Sequence, residues 1–220
     1  MNLQTCLQKL KLVGTLDVAN VAADGSPQVR CISAFHYEPD AVCFLTSRGK
    51  PFACDLLRDG RIQAVGRTRF NEMIRLSGTA VALEGEEGVR IRDLIYEEQP
   101  YLANVYPGDT RDINIIFAVR NVRVEYFNLG VHPIFRETYR MDGAEPAAHG
   151  YRIVGDCIGC GICAGVCPQG AIEEGSPFRT EPEHCLHCGA CYEACPQGAI
   201  ERLGAASSEA GQAAKESGER

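Results

Sequence analysis

The sequence predicts a mainly β chain with some helix: an antiparallel barrel over roughly the first 140 residues, followed by a small cysteine-rich α+β module. Three observations carry this reading. Apolar and polar residues alternate in short runs between turn signals through the first part, the pattern of half-buried antiparallel strands. Of 12 cysteines, Cys6, Cys31, Cys43 and Cys54 are scattered through the first quarter, none lies between 55 and 156, and the rest crowd into 157–195. Between the two regions, residues 141–150 are poor in large apolar groups and rich in turn formers.

The elements follow in order. Residues 2–11 form a short amphipathic helix with Leu3, Leu7 and Leu10 on its apolar side. Strands are expected at 15–22, 28–35 and 41–46, separated by the turns Asp24-Gly25-Ser26-Pro27 and Glu38-Pro39-Asp40. Pro51, suited to a first helical turn, opens a helix to about Arg58. Strands near 61–66 and 72–83 precede a helix over 86–98, patterned by Val89, Ile91, Leu94 and Ile95. Strands at 113–119 and 122–127 close the barrel. Such strand-turn-strand meanders favour an antiparallel barrel. The domain reading is therefore 1–141 barrel, 142–151 linker, 152–201 cysteine-rich module, and a tail at 202–220 with too little to bury, expected to be disordered.

Composition excludes several classes. Twenty-two basic against 29 acidic side chains give a net charge of -7, so the whole chain offers no cationic footprint for nucleic acid. The longest aliphatic and aromatic run, Ile115 to Val119, is far short of the roughly 20 residues of a spanning helix, and no membrane span is expected. The first residues lack the pattern of an export signal, which sets the cytoplasm as the expected location. There, clustered cysteines read as metal ligands before disulfides.

The cluster is a repeat. Cys157, Cys160, Cys163 and Cys167 with Pro168 make C-x2-C-x2-C-x3-C-P, and Cys185, Cys188, Cys191 and Cys195 with Pro196 repeat it, with Pro-Gln-Gly-Ala-Ile-Glu following in both copies. Three thiolates spaced in this way wrap three corners of a cubane, while the fourth is carried away by the intervening helical stretch. Structural zinc, the competing reading, does not require the third Cys, the C-P step or the internal copy. Over about 153–201 the sequence resembles bacterial-type two-cluster ferredoxins, in which the fourth Cys ligates the other cluster. The resemblance implies two 4Fe-4S clusters with crossed ligands: Cys157, Cys160, Cys163 and Cys195 on one, Cys185, Cys188, Cys191 and Cys167 on the other. His184 and His187 are expected to be solvated neighbours. Arg152 and Arg179 against seven acidic residues make 151–201 acidic, which favours a redox partner with a basic docking patch.

In the first region, Asp24-Gly25-Ser26-Pro27-Gln28-Val29-Arg30, Phe44-Leu45-Thr46-Ser47-Arg48-Gly49-Lys50 and Arg75-Leu76-Ser77-Gly78-Thr79-Ala80 resemble the pyridoxamine 5'-phosphate oxidase-like family, whose fold is an FMN-binding antiparallel split β-barrel. The resemblance implies an FMN site with Arg30 and Lys50 on the phosphate, Thr46 and Ser47 adding hydrogen bonds, and Ser33 and Asn71 near the flavin ring. Two cations with hydroxyls suit a phosphate dianion without a Gly-rich loop. It further implies a homodimer with flavin between subunits. No Trp and no C-terminal basic and aromatic segment are present, so a use other than vitamin B6 oxidation is implied. His36 has no matched role, and Cys31, Cys43 and Cys54 read as small core residues.

Joining a flavin to iron-sulfur clusters makes a two-to-one electron converter. The expected function is an FMN-dependent, flavin reductase-like oxidoreductase wired to the clusters, with a redox protein or small molecule as donor or acceptor. A non-enzymatic carrier with a docking barrel and a redox sensor are the alternatives. No catalytic acid or base is identifiable.

Overall fold

The structure, a computed structural model, describes residues 1–141, 144 and 149–204. By contacts these form two compact units, one holding 1–130 with 137–141 and 144, the other 131–136 with 149–204. The division does not follow chain order. Val131–Arg136, counted with the barrel in the sequence reading, belongs to the cysteine-rich unit because its bonding partners lie there.

In the first unit, helix α1 (Leu3–Val13) starts where Asn2 accepts a hydrogen bond from the Thr5 N–H at 2.8 Å, and stops at Gly14, whose φ of 77° ends the helical path. Strands β1 (Leu16–Val21) and β2 (Pro27–Ile32) form a hairpin, followed by β3 (Phe35–Tyr37) and β4 (Val42–Ser47). The strand expected over 28–35 is thus two: β2 pairs with β1, whereas β3 pairs with β4 through Phe35↔Phe44. Helix α2 (Pro51–Arg58) has Pro at its first turn, where no intrahelical N–H is needed. Then come β5 (Arg61–Arg67), β6 (Glu72–Leu83), helix α3 (Gly85–Glu98), the single turn α4 (Leu102–Val105), β7 (Asn114–Asn128) and β8 (Phe135–Arg140).

Eight strands make one antiparallel sheet in the order β2-β1-β5-β6-β7-β4-β3, with β8 on β7. The two strands expected at 113–119 and 122–127 are one, β7, kinked at Asn121, whose φ is 53°, opposite a register shift between Ser77 and Thr79. A bulge here lets the long β6–β7 ladder curl. Gly78 sits in it because a Cβ there would lie 2.5 Å from the Arg120 carbonyl oxygen.

The curled sheet encloses Phe44, Phe52 and Phe117, with Phe44 and Phe117 ring centroids 5.5 Å apart. Each such burial contributes about 1.5–3 kcal/mol. One buried carboxylate, Glu72, accepts from Lys9 Nζ and Thr68 Oγ1 at 2.8 Å and Tyr126 Oη at 2.7 Å. His36, buried on β3, pairs with Glu98 of α3 at 3.1 Å. Cys43 is core, as expected, but Cys31 and Cys54 are exposed. Cys31 lies on β2 at the sheet edge, and Cys54 on the side of α2 away from Phe52, Ala53 and Leu56.

The second unit is built on β9 (Gly150–Ile153) paired with β12 (Ile200–Leu203) and on β10 (Ile172–Glu173) paired with β11 (Arg179–Thr180). Short helices α5 (Ile162–Gly165) and α6 (Ala190–Ala194) carry the third cysteine of each copy. Gly150 and Tyr151, expected in the linker, and Arg202 and Leu203, expected in the tail, are paired in the β9–β12 ladder. The rest of the linker reading, apart from Ala144 and His149, and the tail from 205 onward lie outside the described residues.

Candidate functional site: a cysteine repeat and a barrel cation pair

In the second unit each copy of the repeat turns through glycines in left-handed conformation, Gly161 (φ 74°) before α5 and Gly189 (φ 88°) before α6. These turns fold the first three cysteines of a copy back on one another. Helices α5 and α6 then send the fourth across the unit. One cavity is lined by Cys157, Cys160, Cys163 and Cys195, and a second by Cys167, Cys185, Cys188 and Cys191. Three thiols of one copy and the last thiol of the other thus meet in both places, the crossed arrangement the resemblance implies.

Among the described residues no three His, Cys, Asp or Glu side chains converge closely enough to hold a single metal ion. Each group of four thiols lines a cavity, an arrangement that suits a cubane. Burial pushes the Cys191 thiol up to about 11 and raises Cys163 and Cys185 as well. The backbone N–H of Ala171 donates to Cys167 Sγ at 3.3 Å, and that of His187 to Cys185 Sγ at 3.4 Å. His184 and His187 are half-buried rather than fully exposed, His184 Nδ1 lying 2.8 Å from the Ile134 carbonyl oxygen and His187 Nδ1 2.7 Å from Arg136.

In the barrel, β2, the end of β4 and the start of α2 gather most of the expected phosphate ligands. Arg30 places its guanidinium 4.3 Å from the Phe52 ring centroid and donates to Asn20 Oδ1 at 3.1 Å, and Asn20 in turn donates to Asp55 at 3.1 Å. Its Nε is buried without a hydrogen-bond partner, which leaves an acceptor missing. Lys50 caps α2 two residues before Phe52, and its backbone N–H bonds to the Ser47 carbonyl at 3.1 Å. Its ammonium makes no ion pair among the described residues. Thr46 and Ser47 are buried at the strand end, and Ser47 Oγ is 2.6 Å from Tyr106 Oη. A held guanidinium with an orphaned donor, and an exposed lysine at the start of α2, fit a phosphate monoester.

Ser33, on the link between β2 and β3, bonds Tyr101 Oη at 2.6 Å. Asn71 is not brought to this group. It sits at the β5–β6 turn with φ 62°, bonded to Arg67, beside the Asn128 end of the 15-residue strand whose other end pairs with Ser47. An open cleft of about 780 Å³ across β1, β5, β6 and β7, lined by Asn20, Arg61, Gln63, Ser77, Thr79 and Arg123, contains none of the six expected ligands. Sequence reasoning missed Asn20, Phe52 and Asp55, which hold Arg30; no local signal marks them, because each is an ordinary strand or helix residue.

Residues 156–199 match the 4Fe-4S dicluster domain family. No curated protein sequence matches the chain. Solved structures similar to the barrel include a NimC/NimA family protein from Clostridium acetobutylicum (19% identity, TM-score 0.54, covering 63% of this chain and 91% of that one). PhzG from Burkholderia lata, solved with tetrahydrophenazine-1-carboxylic acid, is 17% identical with a TM-score of 0.50, covering 65% and 86%. A pyridoxamine 5'-phosphate oxidase-related, FMN binding protein from Nostoc punctiforme is 17% identical with a TM-score of 0.50, covering 64% and 89%. Among the described residues no helix is long and apolar enough to cross a membrane. The chain therefore joins a barrel with the fold of pyridoxamine 5'-phosphate oxidase-related proteins to a segment, 156–199, that matches the 4Fe-4S dicluster domain family.

Proposed function

We propose that this chain is an oxidoreductase coupling two-electron FMN chemistry in its barrel to one-electron transfer through two 4Fe-4S clusters. The observation that carries the reading is the meeting of eight cysteines in two crossed groups of four. Each cluster is held by three thiolates of one copy and one of the other, so neither copy of the repeat is complete alone. For the flavin, Arg30 and Lys50 bind the phosphate, Phe52 and Asn20 hold Arg30 flat and fixed, and Ser47, oriented by Tyr106, adds a donor. FMN, when bound, supplies hydride acceptance with single-electron release.

Two copies of the chain, with flavin between them, complete the site in this reading. Barrel and cluster module belong to one chain, so transfer between flavin and cluster is intramolecular in this reading. Electrons then pass within the assembly to an external donor or acceptor, a protein with a basic patch or a small molecule.

Anaerobic purification with iron, acid-labile sulfide and flavin assays tests this. About eight iron, eight sulfide and one FMN per chain are expected. Photoreduced FMN should pass electrons to the clusters at a rate independent of protein concentration. Stoichiometric zinc from iron-replete anaerobic preparations, or a rate rising linearly with concentration, sinks the reading.

A further inference from the structure

The two cysteine sites are built from the same repeat and yet have different surroundings. In the register of the repeat, Asp156 corresponds to His184, Gly159 to His187 and Gln197 to Gln169. At the first site Asp156, Gly159 and Gln197 are all exposed, and Ile158 is 63% exposed. At the second their counterparts are half-buried, and all three bind one short segment, Val131–Arg136. The Ile134 N–H donates to Gln169 Oε1 at 2.8 Å, its carbonyl lies 2.8 Å from His184 Nδ1, and Arg136 lies 2.7 Å from His187 Nδ1. The Phe135 ring packs on His184 with centroids 6.3 Å apart.

Each of these contacts falls next to a ligand of the same site. Gln169 is two residues beyond Cys167, His184 adjoins Cys185, and His187 adjoins Cys188. His187 keeps a side chain at φ 58° where the other copy has Gly159 at φ 71°, a conformation glycine adopts without cost. Its ring lies over the backbone of Gly150, where a Cβ would approach to 2.9 Å. Among the described residues, the second site thus carries a strap and a guanidinium that the first does not.

We infer that Arg136 is a tuning residue for the cluster held by Cys167, Cys185, Cys188 and Cys191, setting its reduction potential above that of the cluster held by Cys157, Cys160, Cys163 and Cys195. A cluster gains negative charge on reduction. A fixed cation beside it stabilises the reduced form, and a carboxylate such as Asp156 beside the other destabilises it. The strap's exclusion of water opposes the first effect. It is partial, since Cys188 remains exposed just as Cys160 does, so the charge difference decides the order. The strapped cluster is then the electron store, and the other, with the exposed Ile158 at its rim, is the exchange point.

This rests on the two-cluster reading proposed above. The test is an EPR-monitored redox titration of the full-length, cluster-loaded protein. Arg136→Gln, which keeps the strap's length and polarity, should lower one cluster potential and leave the other in place. Asp156→Asn should raise the potential of the cluster that Arg136→Gln leaves unmoved. Arg136→Lys should restore the wild-type value. If Arg136→Gln shifts neither potential or both equally, or if both substitutions move the same cluster, the inference is overturned. Should Arg136→Gln lose iron, Arg136→Lys decides: wild-type potentials with full iron support tuning by charge, and lost iron makes the strap a scaffold only and overturns the inference. A wild-type protein holding zinc or a single cluster defeats the two-cluster reading instead, before any variant is compared.

Discussion

The guanidinium of Arg30 lies 4.3 Å from the ring centroid of Phe52, so the edge strand β2 and the first turn of α2 share one stacked contact. Phe52 is 1% exposed, and Lys50, the cap of the same helix, is fixed by the same backbone. The contact ties the placement of a proposed phosphate ligand to the packing of the barrel core.

Replacing both cations, Arg30→Ala with Lys50→Ala, should abolish FMN retention and leave iron content unchanged, since every cysteine of the repeat lies in the other unit. Flavin fluorescence and iron assay on one preparation check this. Barrel protein that keeps stoichiometric FMN would show that the phosphate binds elsewhere.

Phe52→Leu should act on both stability and flavin. Loss of a buried ring costs about 1–3 kcal/mol here, less than the ~3–5 kcal/mol of a change to Ala, because Leu fills part of the space. Without the ring, Arg30 loses its stacking surface, and FMN should bind more weakly than the stability loss alone explains. Denaturation midpoints alongside flavin titration separate the two effects.

The crossed thiols make a further separation. Cys195→Ser should perturb the cluster held by Cys157, Cys160 and Cys163, although Cys195 belongs to the other copy, and Cys167→Ser should perturb the one held by Cys185, Cys188 and Cys191. EPR of the reduced variants reports which signal changes. Loss confined to the variant's own copy would contradict the crossing.

Acid should weaken the barrel through Glu72. Burial works to raise its pKa, but the hydrogen bonds from Lys9, Tyr126 and Thr68 outweigh it and hold the carboxyl below its usual range. The ionised form therefore stabilises the fold; that contribution is complete above the unfolded-state pKa of about 4.3 and is lost as pH falls through the lower folded value. Glu72→Gln should cost about 2 kcal/mol at neutral pH. The wild-type and variant stability curves should converge in acid below pH ~4, as equilibrium unfolding over a pH series will show.

Gly78→Ala should destabilise the barrel by about 1–3 kcal/mol, because the new methyl meets the Arg120 carbonyl oxygen and the Val119 side chain across the bulge. Iron content should not change. A neutral effect on unfolding would mean that the β6–β7 ladder has room to shift.

The sequence by itself determined what depends on short spacing. The cysteine repeat is local, and its glycines and C-P steps set the turns that separate three cysteines from the fourth, so the two triplets are legible before any fold is known, while the crossing of the fourth cysteine is what the resemblance to two-cluster ferredoxins implies. Helix α2 is legible to the residue, since Pro51 marks its start, and β6 is legible from its alternation. Tertiary structure alone decided the rest. Phe35–Tyr37 continues the apolar pattern of β2, and only pairing with β4 separates it, because strand partners are chosen by the sheet rather than by the strand. The same holds for the single strand through Asn121, where a turn-like residue is carried across by the β6 ladder. The resemblance assigns Arg30 to the flavin phosphate and Asn71 to the flavin ring, but the curl of the sheet sends them to different places. The strap at 131–136 has no signal of its own. Its partners Gln169, His184 and His187 lie 35 to 51 residues away in the chain. Contacts over that distance come from chain closure around a shared core, which local pattern does not encode.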